Sequence, residues 1–352
     1  SYGYRDYALS HYKKIGEKFG YAISGDYRNS DGYFTNLFTD KKADDMKSGS
    51  ARIRLEWKLQ KNLSFGLMSS FDRSVQGGYA FQYLSDHQGI DQDFSPRSIY
   101  FARQDMKQKM FSEELNIKST TPGRYKWLFG AFGFWQGIDN TVTLDYFTKD
   151  YATRKLYDTP AYGVAFYHQS TIDDLLTRGL SLTFGIRYDY EHTSNDFLFY
   201  KETDGGSEQM DAFDSRLKFS QVTPKIALQY MFPSTGMLYA TVTKGYKTGG
   251  FNTSFDREED RTFRPETSWN YELGAKHPFL DNRLNAEFCF FWIDWKNQQI
   301  YQMLATQNGQ FLRNAGRSES KGVEVSLQGN PVNGLMVQVN YGFTHATFKD
   351  YK

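Results

Sequence analysis

Residues 178–191 read RGLSLTFGIRYDYE, and the alternation within them decides the fold. Leu180, Leu182, Phe184, Ile186, Tyr188 and Tyr190 share one parity, while Ser181, Thr183, Gly185, Arg187, Asp189 and Glu191 share the other. Successive side chains of an extended strand point to opposite faces, so this stretch predicts a strand with one apolar face and one polar, charged face. The pattern recurs on both sides of Phe232-Pro233-Ser234-Thr235-Gly236. Val222, Pro224, Ile226, Leu228 and Tyr230 precede that turn, and Leu238, Ala240 and Val242 follow it. Further upstream, Arg52, Arg54, Glu56 and Lys58 alternate with Ile53, Leu55, Trp57 and Leu59.

Turn-like segments at 13–18, 60–62, 119–123, 172–179, 232–236, 280–283 and 330–334 separate these runs, alternating with long polar stretches at 29–47, 75–105, 138–158, 192–213 and 248–265. Read this way the chain is all-β, with about 14 strands of roughly 10 to 17 residues, longer than the roughly five or six typical of soluble strands. Every second connection is a turn, and the others are loops of roughly 15 to 30 residues. A soluble sandwich has no reason to sort its loops by length onto opposite ends. A transmembrane barrel does, with short periplasmic turns and long extracellular loops. The charge-free apolar faces agree, because a charge facing lipid near the midplane costs about 2–4 kcal/mol. The stretch 287–295 carries bulky groups on both parities; it reads as a strand entering an aromatic interface zone, and a buried core strand fits it as well.

The aromatic content of 18%, with 26 Tyr and 30 Phe, coexists with a mean hydropathy of −0.66. No run approaches the roughly 18 apolar residues of a spanning helix, which excludes a helical membrane protein but not a barrel, whose alternation cancels in an average. The net charge of +1, from 42 basic and 41 acidic residues, argues against a general nucleic-acid partner. Cys289 is the single cysteine, so neither a disulfide within the chain nor a thiolate zinc site is available. The opening SYGYRDYALS has no basic start or apolar signal core, and both ends read as cuts within a larger protein.

Catalytic signatures are weak. The glycine loop at 245–250 lacks the lysine spacing and following helix of a phosphate-binding loop, and reads as a flexible strand end. His11, His87, His168, His192, His277 and His345 show no metal-binding spacing. Asp256, Glu258, Glu259 and Asp260 form an acidic cluster without EF-hand spacing, and no G-x-S-x-G occurs. No enzyme, resident cofactor or metal site is expected. The stronger lead is loop aromatics beside cations: Tyr79, Phe81, Tyr83, Arg97 and Arg103 in one long loop, and Tyr246, Lys247, Phe251, Arg257, Arg261 and Arg264 in another. Such sets suit a bulky, anionic, partly aromatic ligand through charge-assisted hydrogen bonds and stacking. For any single residue, membership of an interfacial girdle or contact with lipid head groups is the simpler reading.

LYATVTKGYKTGGFN at 238–252, FRPETSWNYELGAKHPFLDNRLNAEFCFFWIDWKNQQI at 263–300 and KGVEVSLQGNPVNGL at 321–335 resemble the C-terminal half of the barrel of TonB-dependent outer-membrane receptors, especially the iron–siderophore type. RGLSLTFGIRYDYE resembles another part of that barrel, and FGYAISGDYRNSDGYFTN at 19–36 its early strands. The resemblance implies that residues 1–352 are part of a roughly 22-stranded antiparallel transmembrane barrel. A plug and a TonB contact segment are expected before Ser1, and the remaining strands after Lys352. It further implies a monomer in the bacterial outer membrane, in contact with lipid and with the TonB energy-transducing protein. Its cargo is expected to be a small-molecule chelate, in particular a ferric siderophore. Two alternatives stay open: uptake of a non-iron nutrient, or a passive pore, adhesin or platform for a surface lipoprotein. In isolation the sheet is expected not to close and to leave two exposed edges.

Overall fold

The computed structural model describes residues 3–32, 35–36, 41–42, 44–77, 100–120, 122–146, 149–233, 235–255, 257–304, 310–314 and 316–350. A strand satisfies its backbone by pairing sideways, and here each strand pairs with its sequence neighbours. Fourteen form one antiparallel sheet in sequence order. They are β1 (Arg5–Ile15), β2 (Phe19–Ser30), β3 (Met46–Gln60), β4 (Leu63–Gly77), β5 (Tyr100–Ser119), β6 (Tyr125–Tyr146) and β7 (Ala152–Ile172). They continue as β8 (Leu180–Thr203), β9 (Gly206–Met231), β10 (Met237–Lys247), β11 (Glu266–Phe279), β12 (Leu284–Lys296), β13 (Arg317–Val332) and β14 (Leu335–Asp350).

The register carries the apolar parity of one strand onto that of the next. Following direct partners from Ile15 leads through Phe19, Trp57, Phe65, Ile117, Phe129, His168 and Ile186 to Pro224. That row begins at the short-turn ends of β1 and β2 but lies well inside β9, whose short-turn end is Met231. The strands are therefore staggered by about one residue each, as a tilted barrel wall requires. On this face Trp57 is 52% exposed and Ile186 41%. Apolar groups so uncovered are the lipid-facing surface of a barrel wall. The opposite parity carries Arg187, Asp189 and Glu191 toward the lumen.

At the short-turn end, neighbouring turns are tied together. Lys126 Nζ contacts Asp173 Oδ2 at 2.5 Å, and Ser181 Oγ donates to Asp173 Oδ1 at 2.9 Å. Gly179 adopts φ +89°, and a Cβ there would lie 2.4 Å from the Met231 carbonyl, so the turn into β8 requires glycine.

Two expected loops are strands. Residues 138–158 and 192–213 read as polar excursions, but β6 runs to Tyr146, β7 begins at Ala152, and β8 and β9 run on until they turn at Asp204-Gly205. The sheet strands accordingly span 11 to 26 residues, beyond the expected upper length. Apolar alternation marks contact with lipid, whereas the hydrogen-bonded ladder needs no apolar side chains and continues into water. A barrel strand crosses the bilayer in about 9–11 residues, so β6–β9 project far beyond it. The excursions at 248–265 and 297–316 carry two-stranded ribbons, Gly250–Phe251 with Thr262–Phe263 and Gln299–Met303 with Gln310–Asn314, and a 3-10 turn at Glu258–Arg261.

The few buried apolar residues, Tyr157, Ala165, Phe197, Phe219, Leu304 and Phe311, belong to β7–β9 and the 297–316 excursion. The core therefore sits largely where the projecting strands meet the loops. β1 and β14 each pair on one side only, and every residue of β1 is exposed, so the sheet of described residues has the two open edges that were expected.

Candidate ligand-capture site

Above the bilayer the lumen-facing parity of β7, β8 and β9 turns aromatic. Tyr157, Phe197 and Phe213 are direct cross-strand partners, with ring centroids 5.1 Å apart for the first pair and 4.7 Å for the second. Phe255 from the 248–265 excursion meets Phe213 edge-on at 5.8 Å. The Arg261 guanidinium lies 4.1 Å from the centre of the Phe213 ring and 5.4 Å from that of Phe255. Its charge is met by Glu258 at 3.2 Å and Asp211 at 3.9 Å. Tyr157 Oη donates to the Thr253 carbonyl, and burial pushes its phenol above the ordinary range. Burial also pulls the Lys155 ammonium down, because a desolvated cation sheds its proton more readily.

Three amide side chains stitch the two ribboned excursions together. Asn252 Nδ2 donates to the carbonyls of Asp260 and Leu312, both at 2.8 Å, while its Oδ1 accepts from Leu312 N at 2.7 Å. Gln299 Nε2 donates to Thr248 O at 2.7 Å and to Arg264 O at 3.2 Å. Asn314 Nδ2 reaches Arg264 O and Asn297 O, and its Oδ1 accepts from Arg264 N. An amide carries both donors and acceptors, so a few can satisfy frayed backbone from two loops at once.

Below this platform the lumenal wall carries an arginine among tyrosines and carboxylates. Arg187 binds Asp189 through Nη2 at 2.7 Å and lies 5.7 Å from the ring centres of Phe132 and Tyr167. Tyr167 Oη donates to Glu114, and Tyr246 reaches Asp189.

The sequence-derived candidates separate on this frame. Arg261 is spent fastening its loop to β9. Arg257 pairs with Glu259 at 2.6 Å and Asp260 at 3.2 Å, so the acidic cluster is largely neutralised by its own arginines. No metal-holding group of three or more ligands occurs among the described residues. Tyr246 joins the lumenal cluster, Phe251 lies in the short ribbon, and Lys247 is exposed at the end of β10. The Arg264 side chain is exposed and makes no ion pair with a described residue. Arg103 is not in a loop: it lies on β5, paired to Asp105 at 2.9 Å, and its register with Thr143 puts it on the outward face. Tyr79, Phe81, Tyr83 and Arg97 lie outside the described residues, as do Asp256 and His87. His168, His192 and His277 each lie against an aromatic ring.

Sequence reasoning missed Asn252, Gln299 and Asn314, whose partners are backbone atoms that no pattern announces. It also missed Tyr157, Phe197 and Phe213. For Phe197 a signal existed, because it continues the parity of Arg187, Asp189 and Glu191 through Thr193 and Asn195.

A staggered sheet with a lipid face, a charged lumenal face and stitched loops on one end defines a receptor barrel of the bacterial outer membrane. The family model described as TonB dependent receptor-like, beta-barrel matches residues 1–352, and the chain belongs to that family, one of receptors rather than enzymes. Among curated proteins, the pesticin receptor of Yersinia pestis is 28% identical over 156 residues, 44% of this chain and 22% of the relative. The ferripyoverdine receptor of Pseudomonas aeruginosa is 26% identical over 132 residues, covering 36% of this chain and 16% of the relative. Among solved structures, the ferric yersiniabactin uptake receptor FyuA of Yersinia pestis superimposes with a TM-score of 0.73 at 17% identity. That superposition covers 98% of this chain and 52% of the receptor, so the chain spans about half the length of that protein.

Proposed function

We propose that the chain forms part of the wall and capture loops of a receptor that carries a ferric siderophore across the outer membrane, driven through TonB. Residues 1–352 are then one portion of the barrel domain, and the remaining strands and the plug belong to the same receptor. The observation that carries this reading is the arrangement of the 248–265 and 297–316 excursions, locked together above a lumenal wall that presents Arg187, Tyr167 and Tyr246. An anionic chelate caught at the rim meets exposed cations such as Lys247 and Arg264, then the arginine and tyrosines below, whose hydrogen bonds favour carboxylate, hydroxamate or phenolate oxygens. The family match and the siderophore-receptor names of the relatives favour iron chelates over other cargo.

The test is uptake of radiolabelled ferric siderophores by iron-starved cells with the gene intact, deleted, or intact with TonB removed. Accumulation that needs both the receptor and TonB supports the proposal. Receptor-dependent entry of small solutes that persists without TonB identifies a passive pore. TonB-dependent uptake of an iron-free nutrient alone reassigns the cargo.

A further inference from the structure

We propose that Lys155 anchors an oxyanion borne on an aromatic ring of the ligand, a phenolate or benzoate-type group, with Phe199 packed against that ring. The inference deepens the ligand-capture reading of this rim and rests on it. Lys155 lies on the lumen-facing parity of β7, two residues beyond Tyr157. That places it about 7 Å farther from the membrane, at the outer edge of the shelf made by Tyr157, Phe197 and Phe213.

Register surrounds this ammonium with uncharged groups. Its direct partners are Val142 on β6 and Phe199 on β8, and its same-face neighbours along β7 are Thr153 and Tyr157. Of the diagonal neighbours on β6 and β8 only Lys201 is charged, and it is a second cation. Lys155 makes no ion pair or hydrogen bond with a described residue; the Phe199 ring centre lies 5.4 Å from its Nζ.

The cations nearby are provided for differently. Arg154, on the other face of β7, holds Glu202 at 2.8 Å. Lys201 has Glu208 as its direct partner and lies 4.7 Å from the centre of the Tyr151 ring. Asp211 is the direct partner of Phe199 on the side away from Lys155, two strand spacings or about 10 Å from it. Its oxygens are already engaged, one by Arg261 at 3.9 Å and the other by the Ala212 N–H at 2.9 Å. Of these cations Lys155 is the one with no carboxylate beside it.

A lysine in open water needs no counter-charge, but Lys155 is half-buried, and desolvation already lowers its hold on its proton. An anion placed on Nζ restores the charged form and offsets that desolvation. The class of anion follows from Phe199 and Val142. An aliphatic carboxylate satisfies the charge and leaves these two side chains uncovered, whereas a planar ring covers them while its oxygen reaches Nζ. The entry side is open: Tyr157 is 4% exposed beneath the Thr253 backbone it binds, and Lys155 stands beyond that cover.

The test uses the full-length receptor in a zwitterionic detergent and two probes of equal charge and similar size, benzoate and cyclohexanecarboxylate, titrated by ligand-observed NMR. Wild-type receptor is expected to bind benzoate about tenfold more tightly than the K155M variant does, with K155R retaining most of the affinity. Cyclohexanecarboxylate should bind wild type severalfold more weakly than benzoate, and F199L should erase that difference. The K61Q variant, altered in a short turn at the opposite end, should bind like wild type, and heat-modifiable migration checks that each barrel is folded. Absence of saturable benzoate binding, equal affinity in K155M, an equal loss in K155R, or equal affinity of wild type for the two probes each overturns the proposal. Uptake by iron-starved cells separates this outcome from the fate of the cargo reading. TonB-dependent entry of ferric siderophores alongside unchanged benzoate binding by K155M removes the subsite alone, whereas Lys155-dependent benzoate binding without such entry removes the iron cargo alone.

Discussion

Asn252 shows how much one polar side chain does at the rim. It is 5% exposed, and its amide joins the 248–265 excursion to the ribbon beginning at Gln310. Replacing Asn252 by Ala leaves two carbonyls and one N–H to be solvated or orphaned, each costing about 1–3 kcal/mol where water cannot enter. Hydrogen exchange within 250–263 and 310–314 should accelerate by about tenfold or more, while amides of β8 near Ile186 keep their wild-type rates. Unchanged protection in both ribbons would show that the amide contributes no rigidity. Nothing in GGFN foretold this role, because the partners are main-chain atoms of residues up to 60 positions away. Arg261 was visible as a loop cation, but not its fate. Whether a cation greets ligand or fastens its own loop depends on Phe213 and Asp211, which arrive from another strand.

At the level of elements, the alternation that made the wall legible also misled. Within the bilayer, lipid imposes apolar residues on one parity, so Leu180 through Tyr190 identify their strand without ambiguity. From His192 onward the outer face meets water, the constraint lapses, and the sequence resembles loop although β8 continues for another dozen or so residues. If this upper hairpin is a platform rather than part of the wall, replacing residues 195–215 with Asn-Gly should leave assembly intact, since Ser194 and Arg216 are already direct partners. The outer-membrane level and heat-modifiable migration should match wild type. Loop residues 252–263 should meanwhile become accessible to added protease, having lost Phe197, Phe213 and Asp211. Failure of the shortened protein to reach the membrane would place the upper hairpin in the folding unit itself.

For the molecule as a whole, the sidedness of the sheet is the property on which membrane residence rests, and two residues of β8 test it. Ile186 is 41% exposed on the lipid face between Phe184 and Tyr188, while Thr183 faces the lumen and shares a 2.9 Å hydroxyl contact with Thr171. Changing Ile186 to Arg puts a guanidinium among acyl chains, at a cost of about 2–4 kcal/mol near the midplane, and leaves it no carboxylate partner on that row. Changing Thr183 to Arg costs one hydroxyl contact and adds a cation to a wet wall that already accommodates Arg187. Ile186→Arg is therefore expected to lower the amount of folded barrel in the outer membrane severalfold, and Thr183→Arg to leave it near wild type. The sign does not depend on cargo, because it follows from which face meets lipid. Equal tolerance of the two changes would mean that the apolar parity packs against protein, in which case the staggered row from Ile15 to Pro224 would be the inner face of a sandwich.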